Sequence, residues 1–110
     1  MPKYLTFFSY TSDAAKALIQ HPSDRVAAAK ALVESVGGSL ESFYWMQGKH
    51  DGFFITEARD GAALAAAALA AVSTGSISGI ETHEIFEHDA QADIVKNAAK
   101  AVGAYKPPTA

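Results

Sequence analysis

Residues 43–55, Phe-Tyr-Trp-Met-Gln-Gly-Lys-His-Asp-Gly-Phe-Phe-Ile, carry two runs of consecutive large apolar side chains around a polar knot. Successive side chains of a strand point to opposite faces. Consecutive aromatics therefore make a strand apolar on both sides. A hairpin of such strands does not suit a sheet with one wet face, where apolar and polar residues alternate. It needs a layer above and a layer below, and that demand constrains the fold more than any other feature of the chain. The knot, Gln47 to Gly52, reads two ways. Asp-Gly or Gly48 can supply the positive-φ positions of a hairpin turn. A His beside an Asp is also an acid–base pairing, with the carboxylate orienting the imidazole.

The same doubling runs through the other strands. Residues 3–10 read as a first strand, with Tyr4, Phe8 and Tyr10 on one face and Leu5 and Phe7 on the other. Residues 39–47 form the second, with Tyr44 and Met46 opposite Phe43 and Trp45. "FFITEA" forms the third and residues 77–86 the fourth. Between strands one and two lie two helical segments. Thr11-Ser12-Asp13 gives an N-cap signal for "DAAKALIQ", which His21-Pro22 breaks. Ser23 caps "DRVAAAKALVESV", whose Val26, Ala29, Val33 and Val36 recur at helical spacing, and Gly37-Gly38 ends it. Asp60 caps "GAALAAAALAAVS" between strands three and four. An amphipathic helix is expected over about 90–103, then a frayed tail, 104–110.

The order β-α-β-β-α-β is the split βαβ, ferredoxin-like pattern. Right-handed crossovers place strands one and three at the centre of a four-stranded antiparallel sheet, with the helices on one face. The expectation is a single α+β domain over 1–110, its core in 2–87. The second face needs a cover. The terminal helix could supply part of it. A second copy of the sheet covers it better, since a two-fold dimer buries the same patch twice and soluble monomers rarely expose large apolar patches. A homodimer paired through the sheet face follows.

Composition narrows the partners. The 110 residues carry a net charge of −3 and no Lys/Arg run, which disfavours nucleic acid. The absence of cysteine removes disulfides, thiolate metal sites and Cys nucleophiles. "MPKYLTFF" turns polar at Ser9, too soon for a signal peptide. "GAALAAAALAAV" is too short and too Ala-rich to span a bilayer. A cytoplasmic protein without membrane contact is expected. "HEIFEH" offers ligand-type side chains, but its spacing matches no metal motif. No P-loop, Ser-nucleophile elbow or HExxH occurs. The expectation is therefore no metal and no cofactor.

Topology locates the candidate site. The end of strand one lies beside the start of strand three, so Tyr10, Thr11, Ser12, Gln47, His50 and Asp51 gather at one end of the sheet. The first helix begins there, and its free N–H groups favour an anion. Tyr10, Thr11, Tyr44 and Met46 are candidate ligand-binding residues; aromatic walls suit a flat apolar molecule. His50 and Asp51 are the candidate catalytic pair. In the plainer reading Asp51 simply accepts backbone N–H groups of the turn or first helix. Arg25 reads as solvated, or paired with Asp24 at small gain. Glu81 and His83 share a strand face, with His83 expected about 20 Å along the sheet from the knot.

The stretches "KYLTFFSYTSDAAKAL" and "DRVAAAKALVESVGGSLESFYWMQGKHDGFFI" resemble the GYD-domain family of small bacterial proteins, named for a Gly-Tyr-Asp signature near the second hairpin. The resemblance covers residue 2 to about residue 87. The signature maps onto Gly48, His50 and Asp51, with His50 where the aromatic is expected. It implies a ferredoxin-like fold of the dimeric α/β-barrel group and no particular reaction. Relatives in the wider fold group include cofactor-free monooxygenases, small isomerases and effector-binding domains. Three functions follow: a homodimer holding a small, partly apolar molecule; a cofactor-free enzyme using His50 and Asp51; or a partner-binding module with no pocket.

Overall fold

The aromatic and β-branched runs become four strands. The computed structural model describes residues 1–109; Ala110, the last residue of the expected tail, lies outside them. The elements are β1 (Lys3–Tyr10), α1 (Ser12–Gln20), α2 (Arg25–Ser35), β2 (Ser39–Trp45), β3 (Gly52–Glu57), α3 (Gly61–Ser73), β4 (Ile77–Ile85), a short 3-10 turn (His88–Ala90) and α4 (Gln91–Ala104). The strands form one antiparallel sheet in the order β2-β3-β1-β4. Strands one and three are central, as the element order requires.

Local chemistry sets the helix ends. Thr11, Asp24 and Asp60 accept the backbone N–H groups of Ala14, Ala27 and Ala63 at 3.2, 3.1 and 3.0 Å. The cap of α2 is Asp24 rather than the expected Ser23. Both residue types cap well, and a carboxylate also complements the positive helix end. Gly37, at φ +83, closes α2, with N–H groups of Gly37 and Gly38 returning to Glu34 and Val33 carbonyls at 3.0 Å each.

Helices α2 and α3 lie on one face of the sheet, α2 against β2 and α3 against β4. Tyr4, Phe8, Val33, Ala58 and Leu64 form the buried core there, with Ala63 and Ala67 of α3. Those alanines present short side chains, so the α3 backbone lies close to the sheet. Thr6 and Thr82 share a hydrogen bond at 3.0 Å on the same face. Gly52 is the tightest point: a β-carbon there would lie 2.5 Å from the Phe8 ring and 2.6 Å from the Tyr44 carbonyl.

The opposite face carries Leu5, Phe7, Phe53, Ile55 and Tyr44, partly or largely exposed. Among the described residues no element lies over it. The terminal helix, the lesser of the two covers considered, does not lie over it. All residues of α4 are exposed, Ile94, Val95 and Val102 included. The radius of gyration is 17.7 Å, against about 13 Å for a compact chain of this length, because α4 projects from the domain. No helix among the described residues is long and apolar enough to cross a membrane.

Candidate functional site

The helix face is packed at one end and hollow at the other. Tyr4, Ala58 and Leu64 close the packed end. Toward Tyr10, alanines replace larger residues on both helices and leave a cavity of about 420 Å³, within the range of small-molecule sites. Its sheet wall is aromatic. Phe8 lies 5.3 Å from Phe43 and 5.9 Å from Phe54, and the Phe43 and Phe54 rings stack within 10° of parallel. Leu32, Ile77 and Ile80 extend the apolar lining, and Ala28, Ala29, Ala70 and Ala71 form the helix wall. The polar lining is confined to Tyr10, Arg25, Thr74 and Ser76.

Arg25 was expected in solvent or on Asp24. It sits instead in the cavity wall. The Asp24 carboxylate is engaged in capping α2. Among the described residues Arg25 has no ion pair, and its Nε is buried without a hydrogen-bond partner. Tyr10 stands beside it. Burial pushes the Tyr10 phenol above its ordinary value, while the nearby Arg25 charge pulls the other way.

The polar knot does different work. Asp51 closes the end of the sheet: its carboxylate accepts the Tyr10 N–H at 2.8 Å, its own N–H donates to the Phe8 carbonyl at 2.9 Å, and its carbonyl accepts the Met46 N–H at 2.9 Å. Gly48, at φ +129, supplies the turn's positive-φ residue. His50 points to the open face, stacked on Phe7 at 5.2 Å, with Nδ1 3.1 Å from Ser9 Oγ. Among the described residues no hydrogen bond joins His50 to Asp51, so the carboxylate does not orient the imidazole. Asp51 accepts a backbone N–H, as the plainer reading has it, but the donor is Tyr10 at the end of β1 rather than the turn or the first helix.

The four candidate ligand residues are likewise divided. Tyr10 lines the cavity. Thr11 caps α1, and its hydroxyl donates to the Gly75 carbonyl at 3.0 Å. Tyr44 stacks on Phe53 at 5.2 Å on the open face, and Met46 lies exposed beyond the end of β2. Phe8, Phe43, Phe54 and Arg25 complete the cavity. The period-2 pattern separates Phe8 from Phe7 and Phe43 from Tyr44 but does not say which side the helices cover. Nothing local marks Arg25, because its burial depends on where α2 crosses the sheet.

On the open face His83 meets Phe7 edge-on at 6.2 Å, and its Nε2 lies 2.7 Å from Glu81 Oε2. That hydrogen bond holds the Glu81 carboxyl below its ordinary value, with His50 and Lys49 adding to it. His50 and His83 thus flank one ring, contrary to the expected 20 Å separation. Register explains the difference: His83 pairs with Leu5 and Gly52 with Phe8, about 10 Å apart along β1, and the knot folds back over the strand. A second depression, about 470 Å³, lies at the far end of this face beside Ile55 and Phe86. Its Lys3 is already paired with Glu41 and Glu87 at 3.2 and 3.0 Å, which makes it the weaker ligand site.

Sheet order, antiparallel pairing and one-sided helices define a ferredoxin-like α+β protein. The chain belongs to the GYD domain family, whose profile matches residues 4–95, from β1 into α4. Among solved structures it is similar to MtbAldR, with a TM-score of 0.53 and 14% identity over 79% of this chain and 53% of that one. The chain thus spans about half of that structure's length. It is also similar to PA3566 from Pseudomonas aeruginosa, with a TM-score of 0.44 and 16% identity over 78% of this chain and 93% of that one. A mutant of MhuD, crystallised with two manganese protoporphyrin IX per active site, gives a TM-score of 0.41 and 17% identity over 80% and 95% of the two chains. At such identities the likeness is one of fold. No curated protein matches the chain.

Proposed function

We propose that this protein is a homodimer, paired through the open face of its sheet, that holds a small, partly apolar molecule between sheet and helices. The aromatic cavity beside Tyr10 carries the reading. It is large enough for a ligand, and its few polar groups converge at one end, the usual composition of a binding site. The uncovered aromatics of the other face support the dimer, since a second copy buries them without a further partner. Sedimentation at micromolar concentration tests the pairing: a dimer is expected, and a monomer discards that half. Native mass spectrometry of the freshly purified protein tests the ligand, with an added small-molecule mass expected on wild type and reduced when Ala71→Leu fills the cavity.

A cofactor-free enzyme using His50 and Asp51 is the second reading. The Ser9–His50 contact favours it, because it gives the imidazole a polar partner on the face where the subunits would meet. His50→Phe would then abolish turnover while leaving the fold intact; unchanged turnover excludes His50. The cavity beside Tyr10 counts against a module without a pocket.

A further inference from the structure

Among the described residues Arg25 is the only charged one lining the helix-side cavity, and no carboxylate lines it. A guanidinium is a planar fork of N–H donors that always carries charge. Here its Nε is shielded from water and finds no acceptor. Leaving a buried donor unmatched is unfavourable, and no acid among the described residues pairs with it. Tyr10, Thr74 and Ser76 line the same cavity. Phe8, Phe43 and Phe54 supply flat walls behind them.

Resting on the cavity as a ligand site, we propose that its occupant is an apolar organic acid. Its ring or chain lies against Phe8, Phe43 and Phe54, and its anionic head is held by Arg25 with the hydroxyl of Tyr10 beside it. The match is chemical on both sides. An anion pairs with the one charge in the cavity wall, and charge-assisted hydrogen bonds to a planar guanidinium are among the strongest available. A neutral hydrocarbon of the same shape would leave it unmatched. A cationic ligand would meet a like charge. The raised Tyr10 phenol stays protonated at neutral pH and can donate to the same head group.

The test uses two fluorescent dyes with one ring skeleton: 8-anilino-1-naphthalenesulfonate, which is anionic, and N-phenyl-1-naphthylamine, which is neutral. The readout is the ratio of their affinities for the full-length chain, since the ratio cancels the difference in hydrophobicity when variants are compared. Arg25→Met is expected to lower the ratio about tenfold or more in favour of the neutral dye, with neutral-dye affinity kept. Arg25→Lys retains the charge without the planar fork and is expected to fall between. Arg25 forms no ion pair, so thermal unfolding should show both variants folded. A ratio unchanged in Arg25→Met overturns the anionic head group while leaving the cavity as a ligand site. Binding of neither dye, or binding of both that Ala71→Leu does not reduce, overturns the cavity reading and this one with it.

Discussion

The two faces of the sheet use the same kinds of residue to different ends. On the helix face Phe8 is 4% exposed and touches Phe43, Phe54 and Tyr10. One residue earlier, Phe7 turns to the open face, where His50, Phe53 and His83 surround it and no second layer follows. Adjacent phenylalanines thus lie in a finished core and an unfinished one. Hydrophobicity alone does not distinguish them. What differs is the presence of helices, and alternation along β1 decides which ring meets them.

Replacing each ring in turn is the sharpest way to break this comparison. Phe8→Ala is expected to lose about 3–5 kcal/mol, read by denaturant unfolding, at any protein concentration. Phe7→Ala should cost less in a dilute sample. Its signature is loss of the rise in wild-type unfolding midpoint with protein concentration that a dimer produces. A wild-type midpoint that does not move with concentration would break the two-face account.

Gly52→Ala probes the join between the faces. Its β-carbon would overlap the Phe8 ring and the Tyr44 carbonyl, and overpacking of this kind costs about 1–3 kcal/mol. Unchanged stability in chemical denaturation would show that Phe8 has room to move. Thr56→Val goes the other way. The Thr56 hydroxyl is fully buried on the helix face without a partner, so an isosteric methyl should raise stability by about 1 kcal/mol. Destabilisation would point to an unseen partner for that hydroxyl.

The smallest effect expected is on the open face. Glu81 has a lowered pKa, chiefly from the His83 hydrogen bond. A depressed carboxyl contributes stability above its unfolded value and loses it as pH falls through the folded one. The contribution is therefore complete at neutral pH and fades below the ordinary value of 4.5. Glu81→Gln should flatten the acid limb of the stability profile slightly, with no change at pH 7 beyond the loss of that increment.

Much of this was legible in the chain because it rests on period. Alternation sorted Tyr4, Phe8 and Tyr10 from Leu5 and Phe7, and Phe43 from Tyr44, before any tertiary contact was known. The element order then placed β1 and β3 at the centre. Features that depend on register or on helix placement were not legible. The separation of His50 from His83 turned on which residue faces Leu5 across β4 and on the path of the knot. Arg25 opens α2 with the look of a surface residue, and its place in the cavity wall follows from the packing of that helix on β2. Composition hid the cavity as well: the alanines that bring α3 close to Leu64's neighbours also leave space beside Tyr10, and an Ala-rich helix reads alike in both places.

Asp51 illustrates how far a side chain can act from what it shapes. Asp51 ties the ends of three chain segments with its amide, its carbonyl and its carboxylate. The pairing of β1 with β4 slips in register between Ser9 and Tyr10, and at that slip the Asp51 carboxylate takes the Tyr10 N–H. The aperture of the cavity is accordingly gauged from the solvent side, by a residue outside its lining. Asp51 works there as a rivet: without it every lining residue would still be present, but the frame that spaces them would be loose.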